Sequence, residues 1–161
     1  MKPVTFHPIG LIHTPFREPE GTPIQPWRSS HARGTIEILP EYIPGLKDLD
    51  GFSHVVLLYQ FHLSEGFQLL VVPYLDNQPR GLFATRAPRR PNGIGLSVVR
   101  LLEIEGGTMH IEDVDMVDGT PLLDIKPFVP AFEKVEDCRL GWLEGRSERA
   151  EDTSADDRFI D

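Results

Sequence analysis

Cysteine is almost missing from this chain: Cys138 is the only one in 161 residues. No intrachain disulfide can form, and no thiolate cluster can hold zinc or an iron–sulfur centre, so no metal is expected. No apolar run approaches the ~20 residues that span a bilayer. The N-terminus, MKPVTFHPIG, has neither a long apolar core nor a small-residue cleavage site, so it does not read as a secretory signal. A cytoplasmic, reducing location is the expectation. Basic charge is in deficit too, with 16 Lys+Arg against 25 Asp+Glu and a formal net charge of −9. That balance excludes indiscriminate binding along a polyphosphate backbone and leaves room only for a local contact. Finally, there is no GxGxxG after a strand, no GxxxxGK[ST], no HExxH and no GxSxG. Rossmann-type cofactor binding, NTP hydrolysis, zinc proteolysis and α/β-hydrolase chemistry therefore lack their signatures.

What the chain does have is a set of short apolar, β-branched runs bounded by Gly or Pro. They lie at 4–12, 34–39, 53–61, 68–73, 81–84, 95–104 and 108–117. Runs of this kind predict strands, and no long stretch shows the 3.6-residue period of an amphipathic helix. The fold class expected is all-β, a single small β-barrel domain over 1–144 with few short helices. In 108–117 the apolar alternation changes phase around Glu112–Asp113, which predicts a β-bulge. Helix is expected only near 44–49, with Pro44 in the first turn, and in part of 133–143. Residues 145–161 are polar and acidic and are expected to form a tail without a core of its own.

Two segments concentrate chemistry. ATRAPRRPNGIG (84–95) packs Arg86, Arg89, Arg90 and Asn92 among two prolines and two glycines, a composition that suits a rigid, shaped loop facing an anion. DGTPLLDIKP (118–127) opens on an Asp-Gly turn. It then alternates so that Asp124 and Lys126 share one strand face while Leu123 and Ile125 face the core. Each segment also has a bland reading, a solvated charge run for the first and a surface ion pair for the second. A third stretch, TPIQPWR (22–28), offers Gln25, Trp27 and Arg28, an amide and an indole that suit a purine. A lone Trp more often plugs a core edge. His54 and His62 flank a strongly apolar strand, and either has the unperturbed acidity of a base. A structural role is the expectation for His54.

These motifs, IGLIHTPF (9–16), PIQ (23–25), GLKDLDGFSH (45–54), FATRAPRRPNGIGLSVV (83–99) and DMVDGTPLLDIKPF (115–128), together resemble the TrmO (TsaA/YaeB-like, VirR) family of S-adenosylmethionine-dependent tRNA methyltransferases. The likeness covers roughly residues 7–130. It departs at Gly93, Phe128 and Glu133, where the family often carries other residues. The resemblance implies a β-barrel, a homodimer, S-adenosyl-L-methionine as cofactor, and N6-methylation of threonylcarbamoyl-adenosine beside the tRNA anticodon. It also implies cofactor contacts at Gln25, Pro26, Trp27, Arg28, His62, Leu63, Arg86, a residue near Glu112, and Gly119, Thr120, Pro121 and Leu122. Asp118, Asp124 and His62 are the candidates for handling a proton. Arg89, Arg90, Asn92 and Lys126 are the candidates for meeting the substrate. Two other readings stay open from sequence: methylation of a small metabolite, and a non-catalytic module that binds S-adenosylmethionine.

Overall fold

The computed structural model describes residues 2–20, 22, 31–145 and 156. Eight strands form: β1 (Gly10–His13), β2 (Arg33–Ile38), β3 (His54–Gln60), β4 (Leu70–Val71), β5 (Arg80–Gly81), β6 (Ile94–Glu105), β7 (Thr108–Glu112) and β8 (Thr120–Pro127). Six of them close into a barrel in the order β1-β2-β7-β6-β3-β8, and β4 with β5 makes a separate two-stranded ribbon. The expected all-β barrel is what forms. Its only α-helix among the described residues is the single turn α1 (Pro130–Glu133).

Strict period-two burial explains the closure. Val55, Leu57 and Tyr59 of β3, Val99 and Leu101 of β6, and Met109 and Ile111 of β7 all point inward, meeting Ile12, Ile36, Ile38 and Leu122. Closure needs close backbone approach, and glycines supply it. At Gly95, the partner of Tyr59 in the β3–β6 ladder, an added Cβ would stand 2.2 Å from the Tyr59 ring. The aromatic ring occupies the place where a side chain at 95 would go.

Several sequence expectations are corrected. Of residues 81–84 only Gly81 is in a strand, as the end of β5: Leu82–Ala84 is a 3-10 turn, closed because Thr85 donates both its N–H (3.0 Å) and its hydroxyl (2.8 Å) to the Leu82 carbonyl. The run at 68–73 shrinks to the two residues of β4. The phase change after Ile111 is not a bulge at Glu112–Asp113; the strand ends at Glu112, and Asp113 turns the chain with φ +66°. The β6–β7 ladder carries its own irregularity between Leu101 and Glu103. In β8, a register shift opposite Leu58/Tyr59 leaves Leu123 out of the ladder, so Leu122, not Leu123, enters the core with Ile125 packed at its margin. The helix near 44–49 is instead a 3-10 segment at Pro40–Leu46, with Pro40 in its first turn and Pro44 inside it. In the 133–143 stretch only Glu133 and the 3-10 turn Gly141–Leu143 are helical. The tail at 146–155 and 157–161 lies outside the described residues.

Replacing Gly95 with alanine should lower unfolding stability by about 1–3 kcal/mol, the range for overpacking a filled core. Urea denaturation checks this, and a wild-type midpoint would mean the Tyr59 ring is free to move aside.

Candidate functional site

The DGTP turn sits where β8 begins, at the seam where β8 pairs with β1 on one side and β3 on the other. Its backbone is fastened to β1: Asp118 N–H donates to the Phe16 carbonyl (2.6 Å) and Gly119 N–H to the Ile12 carbonyl (2.9 Å). The Asp118 carboxylate is fastened there too, accepting from Thr14 N–H at 3.1 Å with His13 Nδ1 at 3.4 Å. Gly119 takes φ +77°, the left-handed region open to glycine. The turn therefore presents side chains, because the N–H groups of Asp118 and Gly119 are already committed.

His62, two residues beyond β3, meets this turn. The Thr120 hydroxyl donates to the Val117 carbonyl at 2.6 Å. Its single hydrogen is thereby used, so in the 3.3 Å contact with His62 the ring Nδ1–H donates to Thr120 Oγ1. The Gln60 backbone bonds the ring as well and favours its protonated form. A Cβ at residue 119 would lie 4.0 Å from Nε2, so the absence of a side chain at Gly119 keeps the nitrogen uncrowded. Burial lowers the pKa of His62 below its ordinary 6.5, while a hydrogen bond with the Gln60 backbone and the Asp118 charge pull the other way. Desolvation is the larger effect, and His62 is neutral at pH 7.

The sequence reading missed a buried hydroxyl–carboxyl chain beside this site. Ser97 Oγ donates to Asp115 Oδ1 at 2.6 Å, so the 3.0 Å contact between Ser97 and Tyr59 has the Tyr59 hydroxyl as donor. Ser97 and Tyr59 are both almost fully buried, at 2% and 4% exposure. Burial, ahead of every other influence, pushes the Asp115 carboxyl up to about 7 and the Tyr59 phenol higher than its usual value, while the Arg86 guanidinium pulls both back. One cue was available: Tyr59 and Ser97 share the strand parity of the apolar core residues, and a hydroxyl at such a position needs a buried partner. Nothing in the sequence names Asp115 as that partner.

The ATR loop divides by role. Arg86 is exposed and, among the described residues, makes no hydrogen bond or ion pair, yet its charge reaches Asp115 and Tyr59. Arg90 is turned back into its own loop, donating to the Thr85 (3.0 Å) and Ala87 (3.3 Å) carbonyls and lying over the Phe83 ring. Arg89 donates to the Glu65 carbonyl at 3.3 Å. Asn92 is exposed at the loop's end.

The structure thus brings His62, Asp118, Gly119 and Thr120 together in one group and Arg86, Asp115, Ser97 and Tyr59 in another. Other expected residues lie apart. Asp124 pairs with Lys126 at 2.6 Å on the outer barrel face. Glu112 is surrounded by Arg33 (3.3 Å), His31 (3.6 Å) and Arg100 (3.9 Å). The Leu122 side chain is wholly in the core, Pro121 is half-buried, and Leu63 is exposed. His54 contacts Ser53 Oγ at 2.9 Å and the edge of Phe128. Gln25, Pro26, Trp27 and Arg28 lie outside the described residues.

The chain as a whole has recognised relatives. The tRNA-methyltransferase O N-terminal domain family matches residues 11–134. The chain belongs to that family. It is 51% identical, over 98% of its length and 85% of the relative's, to a probable S-adenosyl-L-methionine-binding protein of Pyrococcus abyssi. It is also 36% identical to the human tRNA (adenine(37)-N6)-methyltransferase over 78% of this chain and 30% of the human one. The crystal structure of TrmO from Pseudomonas aeruginosa superposes with a TM-score of 0.74 at 42% identity, covering 88% of this chain and 63% of that one. The chain therefore spans less than two thirds of the Pseudomonas and human TrmO-type proteins.

The raised pKa of Asp115 has a consequence for stability. A carboxyl at 3.8 when free and about 7 when folded contributes stability that is full below the lower value and is lost as pH rises through the upper one. Asp115→Asn keeps an acceptor for Ser97 without the charge, so it should melt higher than wild type at pH about 8 and lose that advantage by pH about 5. Thermal melts at the two pH values check this; a variant less stable at both would contradict it.

Proposed function

We propose that this TrmO-family domain binds S-adenosylmethionine at the mouth formed by Arg86, His62 and the DGTP turn, and methylates N6-threonylcarbamoyl-adenosine in tRNA. The residues present fit the cofactor. An exposed guanidinium without a partner among the described residues suits the methionine carboxylate, and Thr120 with Pro121 edges a turn against which the rest of the molecule can lie. When bound, S-adenosylmethionine supplies an electrophilic methyl group on a sulfonium that becomes a neutral thioether. The chain's own contribution is alignment and the handling of one proton. A carbamoyl-substituted amine has a delocalised lone pair, so its proton must leave as the new bond forms.

The observation that supports the proton assignment is that His62 is held 3.3 Å from the Thr120 hydroxyl at the DGTP turn and is kept neutral by burial. Asp118 acts on it electrostatically from the turn. Gln25, Pro26, Trp27 and Arg28 complete the cofactor contacts in this reading, with Leu63 and Glu112 at its margin. Arg89 and Asn92 present the loop to the anticodon region, Arg90 braces that loop, and the Asp124–Lys126 pair meets the substrate on the outer face. A local basic loop on an acidic protein suits a single stem-loop better than a long backbone track.

A homodimer is supported in this reading by the exposed apolar side chains Phe67, Leu69, Leu70, Val72 and Phe83, which crowd the excursion holding β4 and β5. A second copy covers them in this reading; sedimentation at micromolar concentration tests it. Among the described residues no helix is long and apolar enough to cross a membrane. A cytoplasmic site of action goes with a tRNA substrate.

His62→Gln should cut turnover about 10²–10⁴-fold, the span for losing a general base, with a much smaller loss of S-adenosylmethionine affinity. The wild-type rate should rise with pH along a limb whose midpoint lies below the ordinary histidine value of 6.5, because the base works when neutral and burial lowers its pKa. Mass spectrometry of tRNA nucleosides from a strain lacking the gene tests the substrate. Unchanged methylated threonylcarbamoyl-adenosine would redirect the reading to a small metabolite.

A further inference from the structure

Asp115 is organised for negative charge and is short of a cation. Two hydroxyl donors in series, Tyr59 to Ser97 (3.0 Å) and Ser97 to Asp115 (2.6 Å), point their hydrogens toward the carboxyl. The ring at the head of that series is buried and meets the Phe61 ring edge-on at 5.6 Å. Such a chain favours an ionised acceptor. Yet among the described residues no Lys, Arg or His lies within ion-pair distance of Asp115, and burial opposes its ionisation. Arg86 is near enough for its charge to be felt and too far to pair. A buried carboxylate without a paired cation is unfavourable, and the unfavourable term disappears when a desolvated cation binds beside it.

We infer that Asp115, held by Ser97 and Tyr59, is the counter-charge for the cofactor's sulfonium and sets the preference for S-adenosylmethionine over its demethylated product. The inference rests on the proposed cofactor site, in which Arg86 holds the methionine carboxylate. The ligand carries its carboxylate and α-ammonium on one carbon, which the product keeps, and its sulfonium a short methylene chain further on, which the product loses. Arg86 and Asp115 offer the complementary order, positive then negative, on neighbouring segments of the barrel mouth. The reaction removes the sulfonium charge and keeps the carboxylate. A site that reads both charges binds the reactant well, and after transfer it keeps the Arg86 contact and loses the Asp115 one. Product release is favoured by the same residue that recruits the cofactor.

The charged or titratable groups acting on Asp115 are Arg86 from the loop and, through Ser97 of β6, Tyr59 from β3. Tyr59 stays protonated across the accessible range, since burial raises it, and Arg86 stays charged. The carboxyl of Asp115 is therefore the group in this cluster whose charge changes near neutrality.

Isothermal titration of the full chain with S-adenosylmethionine and with S-adenosylhomocysteine tests this. Wild type at pH about 7.5 should prefer the sulfonium ligand roughly tenfold, the scale of one charge-assisted contact. Asp115→Asn should bring the two affinities within about twofold by weakening only the first. The wild-type preference should itself shrink as pH falls from about 7.5 to about 5.5 and Asp115 takes up a proton, an arm that needs no variant to fold. A preference that survives both the substitution and the lower pH, or a variant that weakens both ligands equally, overturns the inference and leaves the cofactor site standing. If wild type binds neither ligand, the cofactor site falls and the inference with it.

Discussion

Everything in this domain hangs on the way β8 closes the barrel. The other five strands make a sheet with two open edges, and β8 covers both, pairing with β1 along its first residues and with β3 along most of its length. Full closure removes the exposed ladder groups that would otherwise pair with other chains. It also dictates where the DGTP turn must be, because the turn is the hinge that brings the chain into the seam. The bonds from Asp118 and Gly119 to Phe16 and Ile12 weld it there. A turn tied down on its N–H side has only its side chains left to offer, which is why Asp118 and Thr120 face the site.

The inside of the barrel sets the electrostatics of that site. The walls are aliphatic, and any polar group that enters loses water before it gains a partner. His62 and Asp115 both answer to desolvation first, but in opposite directions of charge: the imidazole is kept neutral because it would be a cation, and the carboxyl is pushed toward neutrality because it would be an anion. The two groups are therefore set near neutral pH with different tasks, an imidazole that stays neutral and a carboxyl that ionises when something positive arrives. The Arg86 guanidinium, standing outside the wall, adds the one full charge that water still screens.

The fold and the site were legible in the sequence to different depths. Strands β3, β6 and the core of β7 follow from alternation alone, because an inward residue every second position is the only way to fill a small barrel. The failures occur where a local bond outcompetes the pattern. Thr85 closes a turn over Leu82 and so converts most of an apparent strand at 81–84, and the irregularity that ejects Leu123 from the ladder moves the core residue of β8 by one place. Arg86 and the DGTP turn stood out by composition, since three arginines among prolines and glycines are costly to keep without a partner. Arg90 stood out for the same reason and turned out to brace its own loop.

Residue order by itself determined the barrel class, the two segments at its mouth and the family to which the chain belongs, because these depend on periodicity and on contiguous motifs. Tertiary structure alone decided which groups share a site. The Ser97–Asp115 bond joins residues 18 positions apart and the His62–Thr120 contact residues 58 apart. Only barrel closure sets those separations. The protonation states follow from the same closure, since the acidity of a carboxyl or an imidazole is fixed by how much water its surroundings exclude, and exclusion is a property of packing.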